Sequence, residues 1–319
     1  MTFCCCGWDV CVYWLPDMLR TLRVAGLAVA VLLVGAPARA QFTDPRTYDN
    51  APVGVNQLEL IYAHARSNTS INTALIVAGA QFELNDGTVD YTRFLSIAHR
   101  LAWVEAGVPI ANLEGSINGT DIHESTTGDG DSSYQAAILL RGGPAMGAAQ
   151  FAKFKPVTTI GLSLTMTAPT GVYSANKVLN LGSNLWSFKP EFAVSAPFGP
   201  GQKWEFDGYG NVSFFTNNTA YHGSQNLGQR AIPGIEGHIS YTFASSVWAS
   251  FDTRYSFGGI TSINGVDQEN GQQNFTLGTE VWITPNSRNS LVVEFATPVV
   301  HVNGPTYTGF GIKYLYSWP

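Results

Sequence analysis

The sequence predicts an all-β protein: a transmembrane antiparallel β-barrel of about 12 strands, with about 10 to 14 compatible with the pattern. Three observations lead there. Apolar and polar residues alternate with period two through segments of about ten residues. The connectors between those segments alternate short and long. An export signal precedes a long stretch without cysteine.

The chain has 319 residues, 45% of them hydrophobic and only 13% charged. Globular domains carry about a quarter of charged residues, so this surface is unusually apolar. A helical membrane bundle would show repeated apolar runs of about 20 residues, and these are missing. With 18 Phe, 13 Tyr and 8 Trp the chain is no candidate for disorder. A net charge of −6 excludes the basic surface that nucleic-acid phosphates require.

Arg20 and Arg23 precede an apolar core from Val24 to Ala36, and Ala38-Arg39-Ala40 forms a small-x-small cleavage site. That core is too short to cross a bilayer. Residues 1–40 are therefore expected to be an N-terminal extension plus a cleaved signal peptide, with Met18 as the true start, and 41–319 the barrel. All four cysteines, Cys4, Cys5, Cys6 and Cys11, lie in the extension. The part after Ala40 then has no disulfide, thiolate nucleophile or lipid-anchoring cysteine.

The strands follow in order. Segments 55–65, 87–97, 101–110 and 134–142 open the series. In 157–168, Ile160, Leu162, Leu164 and Met166 share one side, and Thr159, Gly161, Ser163, Thr165 and Thr167 the other. Segment 187–198 comes next. In 204–216, Trp204, Phe206, Val212 and Phe214 alternate with Glu205, Asp207, Asn211 and Ser213. Segment 236–244 follows. In 247–257, Val247, Ala249, Phe251, Tyr255 and Phe257 oppose Ser250, Asp252, Arg254 and Ser256. Segments 274–284 and 290–299 lead to 309–318, with Phe310, Ile312, Tyr314, Tyr316 and Trp318 on one face.

Short connectors such as His99-Arg100 and Ser245-Ser246 suit periplasmic turns, and long Gly/Asn/Ser-rich ones suit extracellular loops. Segment 143–156 is long for a turn and is expected to hold a short helix. Segment 70–84 reads as an extra strand or a piece folded into the lumen, and 41–54 is a second candidate to plug it.

A secreted soluble sandwich alternates in the same way. Strands of ten to twelve residues, the export signal and the aromatic last strand favour the membrane. Lipid permits no open sheet edge, so the sheet must close.

Charges on the oily face would cost a few kcal/mol each at mid-bilayer. Glu59, Arg93, Lys189, Glu191, Glu205, Asp207, Asp252, Arg254, Glu280 and Glu294 are therefore expected to line the lumen, as a network that holds the barrel together or as a selectivity constriction. Trp186, Trp204, Trp248, Trp282, Tyr314 and Trp318 are expected to anchor the barrel at the interfaces.

His238 and Ser240 share a strand face, and Asp252 on the next strand is placed to orient the histidine. An outer-membrane hydrolase of this kind needs the pair toward lipid. Ile239, Tyr241 and Phe243 claim that side, which assigns His238 and Ser240 to the lumen. His64, His99, His123, His222 and His301 show no metal-ligand spacing. Asp129 and Asp131 lack the glutamate of a calcium loop and read as a solvated loop. No metal or cofactor is expected. Asn-x-Ser/Thr sequons at Asn68, Asn118, Asn211, Asn217 and Asn274 follow from composition.

The stretch Gly161 to Phe192 contains Thr167-Ala-Pro-Thr-Gly171 and Asn184-Leu-Trp-Ser-Phe-Lys-Pro-Glu191. Gly210-Asn-Val-Ser-Phe-Phe-Thr-Asn-Asn218, Gly237-His-Ile-Ser-Tyr-Thr-Phe243 and Trp248-Ala-Ser-Phe-Asp252 follow. Across roughly 88–318 the chain resembles the outer-membrane family named after the meta-pathway of phenol degradation. The resemblance implies a transporter-like barrel in the outer membrane of a Gram-negative bacterium, taking up aromatic or other hydrophobic compounds. Its partners would be outer-membrane lipid and small solutes. A structural or adhesive barrel without transport is the second reading, and a hydrolase at His238 and Ser240 the third.

Overall fold

The computed structural model describes residues 43–68, 80–117, 120–121, 123–177, 179–304 and 306–319. The expected leader and cleavage site lie outside the described residues, as does most of segment 70–84.

Seventeen strands form among the described residues. They are β1 (Asn56–Ser67), β2 (Ala80–Ile97), β3 (Arg100–Ile117), β4 (His123–Asp129), β5 (Ser132–Arg141), β6 (Thr159–Ala168), β7 (Ser187–Phe198), β8 (Trp204–Phe215), β9 (Asn218–Tyr221), β10 (Gln225–Gln229), β11 (Ile232–Ala244), β12 (Val247–Gly258), β13 (Thr261–Ile263), β14 (Val266–Asp267), β15 (Gln272–Asn286), β16 (Asn289–Val302) and β17 (Thr308–Trp318). Each of the twelve expected segments overlaps a strand of the wall.

The wall runs β1-β2-β3-β5-β6-β7-β8-β11-β12-β15-β16-β17, and β17 pairs back on β1 from Asn56↔Trp318 to Arg66↔Thr308. Every neighbour is antiparallel, and each of the twelve wall strands pairs on both sides, so this is a closed 12-stranded barrel. β4 sits above β5 on the same flank of β3, pairing with 110–116 while β5 pairs with 102–107. Gly130 and Asp131 interrupt what is one strand position. No helix among the described residues is long and apolar enough to cross a membrane.

The turns at one end are tight. Ala98 and His99 join β2 to β3 with both φ positive, the geometry that follows the twist of a two-residue hairpin. Segment 143–156 at this end carries the four-residue helix α1 (Ala148–Phe151). At the other end the strands overshoot. β2 and β3 reach 18 residues each, and residues 80–84 extend β2. β9, β10, β13 and β14 make a separate 4-stranded sheet from the loops after β8 and β12, an element with no period-two signature long enough to read in the sequence.

Alternation fixes what faces where. Leu60, Leu162, Leu164, Phe192, Phe206, Ile239, Phe251 and Ile312 are exposed on the outer wall. Aromatic side chains band its short-turn end: Phe198 stacks on Trp204 at 6.2 Å, and Tyr316 on Trp318 at 5.7 Å.

Two expectations need correction. Arg93 shares the outer face of β2 with Val89 and Tyr91, opposite Val104 of β3. It escapes hydrocarbon by bending to the rim, where its guanidinium donates to Gly54 O and Asn56 Oδ1, each at 2.7 Å. Trp248 and Trp282 are not interface anchors. They are cross-strand partners on the inner face, in phase with Ser250 and Glu280, and their rings stack at 5.1 Å. An aromatic residue next to a polar one carries no facing label until the strand's phase is set by its other members.

An arginine on the outer face at mid-strand should cost about 2–4 kcal/mol. Leu164→Arg is expected to lower the stability of the barrel folded in vesicles by that amount, read from denaturant unfolding; an unchanged midpoint would mean this face does not meet hydrocarbon.

Candidate functional site

The interior wall is acidic. Lys189 and Glu191 on β7, Glu205 and Asp207 on β8, Asp252 and Arg254 on β12, Glu280 on β15 and Glu294 on β16 all turn inward. So do His238 and Ser240 on β11, both at 0% exposure, as is Asp207. Glu59, Asp90, Glu105, Glu236 and Lys313 join them. Carboxylates outnumber cations on this wall, and unpaired buried charge is costly, so the lumen needs partners for them.

Residues 43–54 supply several. This segment enters from the short-turn end and fills the lower lumen. Thr43 N–H donates to Glu236 Oε2 at 2.8 Å, and its hydroxyl to Glu191 at 2.9 Å. Arg46 N–H donates to Asp207 Oδ2 at 3.2 Å. Asp44 meets the Lys313 ammonium at 2.6 Å. Tyr48 is fully buried, with its hydroxyl 2.8 Å from Ser163 Oγ and donating to Glu191 Oε1 at 2.9 Å. Burial, with Glu191 beside it, pushes the pKa of that hydroxyl up, so it remains a donor. Its ring packs 5.4 Å from both Trp103 and Tyr209 over Leu101 and Leu139. The room for it comes from Gly161: a Cβ there would meet the Tyr48 ring at 2.3 Å.

Three linked groups result. Glu191 and Glu236 are bridged by Asn211, which donates 3.0 Å bonds to each. Lys189 lies 3.7 Å from Glu191, and Arg254 3.2 Å from Glu236. Asp44, Glu280 and Glu294 place carboxylate oxygens within 4.8 Å of one another, and the Lys313 ammonium, 2.8 Å from Glu294, sits among them. This cluster has its cation in the chain itself. The third group gathers Glu205, Asp207, Ser240 and Thr242 around Arg46, whose guanidinium covers the Trp248 ring at 4.5 Å.

His238 Nδ1 lies 2.9 Å from Asp252 Oδ1, the partner expected from the sequence, and Ser250 donates to the other oxygen of Asp252. Ser240 Oγ accepts from Arg46 Nε at 2.8 Å. The pair stands inside the barrel, remote from lipid.

At the long-loop end, the loop between β6 and β7 folds inward over the β2–β3 flank. Leu179 and Leu181 pack on Phe82, Ala111 and Leu113 inside the wall. Gly171 and Gly182 touch through their backbones, where a Cβ on Gly182 would meet Gly171 O at 2.6 Å. Asp131 accepts from Gly171 N–H and Ser183 N–H, at 2.9 and 2.8 Å. Asp131 is thus a latch for this loop and not the solvated residue expected. Beside it, a cavity of about 740 Å³ opens among Arg66, Phe82, Glu83, Glu114, His123 and Thr306.

Sequence reasoning overlooked Glu236 and Lys313, although parity with His238 and with Leu315 would have found both. The plug residues Asp44, Arg46 and Tyr48 had no such signal, since an irregular segment has no period.

The family described as "Putative MetA-pathway of phenol degradation" matches residues 65–314. Among solved structures, the chain is similar to the "COG4313 outer membrane channel from Pseudomonas putida F1", at 20% identity and a TM-score of 0.73, covering 87% of this chain and 100% of that one. It is also similar to the transport unit of the autotransporter AIDA-I from Escherichia coli, at 9% identity and a TM-score of 0.51, covering 92% and 98%. At these identities the likeness shows the fold. No curated protein matches the chain significantly.

Removing the ammonium from the Asp44, Glu280 and Glu294 cluster should be severe. Lys313→Met leaves these carboxylates facing one another without a cation, and is expected to destabilise the barrel by about 3–5 kcal/mol, read from denaturant unfolding in detergent. A loss under about 1 kcal/mol would show that water already solvates the cluster.

Proposed function

The chain belongs to this MetA-pathway phenol-degradation family, and from that premise we propose that it is a passive outer-membrane channel for small hydrophobic or aromatic compounds. The observation that carries this reading is the way the lumen is filled. A barrel of eight strands is packed shut by its own wall side chains. Here the lower lumen is occupied by residues 43–54, a segment outside the wall, whose departure would open that part of the lumen. The association of the family with phenol degradation supports aromatic solutes, and the similar Pseudomonas protein, an outer membrane channel, supports conduction. The mechanism is diffusion past a polar, mainly acidic wall, with no cofactor and no energy coupling. Lys189, Glu191, Glu205, Asp207, His238, Ser240, Asp252, Arg254, Glu280 and Glu294 are its proposed lining.

A second reading is a structural or adhesive barrel that does not conduct. It is favoured by the many contacts that hold residues 43–54 on the wall and by the loop sheet β9-β10-β13-β14, which offers an ordered surface beyond the wall. Hydrolysis at His238 and Ser240 is the third. It requires phospholipid turnover that Ser240→Ala abolishes.

Tyr48→Ala separates the first two. It removes a fully buried aromatic anchor, a change of about 3 kcal/mol, which would raise the undocked fraction about a hundredfold. Liposome swelling with phenol-sized solutes is expected to be slow with the unaltered chain and much faster with this variant. If neither supports swelling while both are folded, the channel reading fails and the non-conducting barrel stands.

A further inference from the structure

We propose that the inner wall around Trp248 is a binding site for a free guanidinium-type organic cation, which Arg46 occupies in the plugged state. The wall groups all belong to the barrel. Ser240 and Thr242 lie two residues apart on β11, and their hydroxyls point to the same side. Trp248, across the ladder from Thr242, presents its ring face to the Arg46 guanidinium. Glu205, opposite Ser240 on β8, supplies the charge.

Arg46 shows how such a cation sits. One edge of the guanidinium meets both hydroxyls, through Nε to Ser240 Oγ at 2.8 Å and Nη2 to Thr242 Oγ1 at 3.1 Å. Nε also lies 3.4 Å from Glu205 Oε2. The flat face rests on Trp248 at 4.5 Å. The stack below is held in place, because Trp282 lies parallel to Trp248 within 12° and its Nε1 donates to Glu280 at 2.7 Å. Paired donors on one edge, a planar face and a carboxylate are the recognition requirements of a guanidinium; a compact ammonium satisfies only the last in full.

Access and attraction are both present. The Arg46 side chain keeps 16% exposure, and Thr242 and Trp248 flank the Ser245-Ser246 turn at the short-turn end. The surrounding excess of carboxylates raises the local concentration of any cation. What holds a free ligand off is the tether on Arg46, which competes at an effective concentration of about millimolar or above. The site stands whether or not the barrel conducts.

The test uses the full chain in detergent, with methylguanidinium as the probe and tryptophan fluorescence and calorimetry as readouts. Arg46→Ala is expected to bind methylguanidinium saturably, at least about tenfold more tightly than the unaltered chain, and to gain thermal stability from it. Methylammonium should do neither, and adding Trp248→Leu should abolish the gain. Arg46→Lys keeps the charge and the tether, and is expected to bind the probe more tightly than the unaltered chain, so the proposal stays testable if the alanine variant does not fold. No saturable binding to any folded Arg46 variant overturns it. Equal binding of methylammonium, or binding indifferent to Trp248→Leu, overturns it as well. Swelling assays do not enter these outcomes, so failure here and failure of the channel reading are told apart.

Discussion

Hydrocarbon offers no partner for a backbone N–H or C=O, and everything else in this molecule follows from that. The sheet has to close, which the ladder between β17 and β1 does. Once it closes, period-two side chains have only two destinations. Most Leu, Ile, Phe and Val take the lipid side, with a few such as Leu101, Leu113 and Leu139 turned inward, and charges on the membrane-crossing strands lie inside or bend to a rim as Arg93 does. The acidity of the lumen is therefore less a choice of position than a consequence of sequence charge confined to one side of a cylinder.

Confinement creates the next problem. Glu191, Glu236, Glu205, Asp207, Glu280 and Glu294 crowd a space with few cations on the wall itself. Residues 43–54 act as a counter-surface. They bring the Arg46 guanidinium and Thr43 donors to carboxylates that would otherwise face one another, and insert Tyr48 into the apolar ring of Trp103, Tyr209 and Leu139. The plug is bound by the same two forces that fold the barrel: burial of an aromatic side chain, and pairing of charge in a low dielectric.

The two motifs that carry the family resemblance do separate structural jobs. In the first, Gly171 lets its backbone touch Gly182, and Asp131 pins that contact, so the long loop after β6 folds inward. In the second, Lys189 and Glu191 reach Thr43 and Tyr48 of the plug. One stretch of sequence thus serves both ends of the lumen. That accounts for the motifs through packing and docking, with no chemistry assigned to them.

The twelve wall strands, their tight turns and the partnership of His238 with Asp252 could all be read from residue order, because each depends on parity and adjacency alone. Glu236 and Lys313 were readable by the same rule and needed only its stricter application. The inward Trp248 and Trp282 obey that rule too, in phase with Ser250 and Glu280, but an aromatic ring is welcome at either face, so residue type alone gives no facing. Segment 41–54 was one of two candidate plugs in the sequence, but its contacts, the Asp131 latch and the three charge clusters belong to the tertiary structure. The plug contacts join residues far apart in the chain, such as Asp44 and Lys313, and the pairing is selected by where the closed wall leaves room, a quantity that no local pattern in the chain encodes.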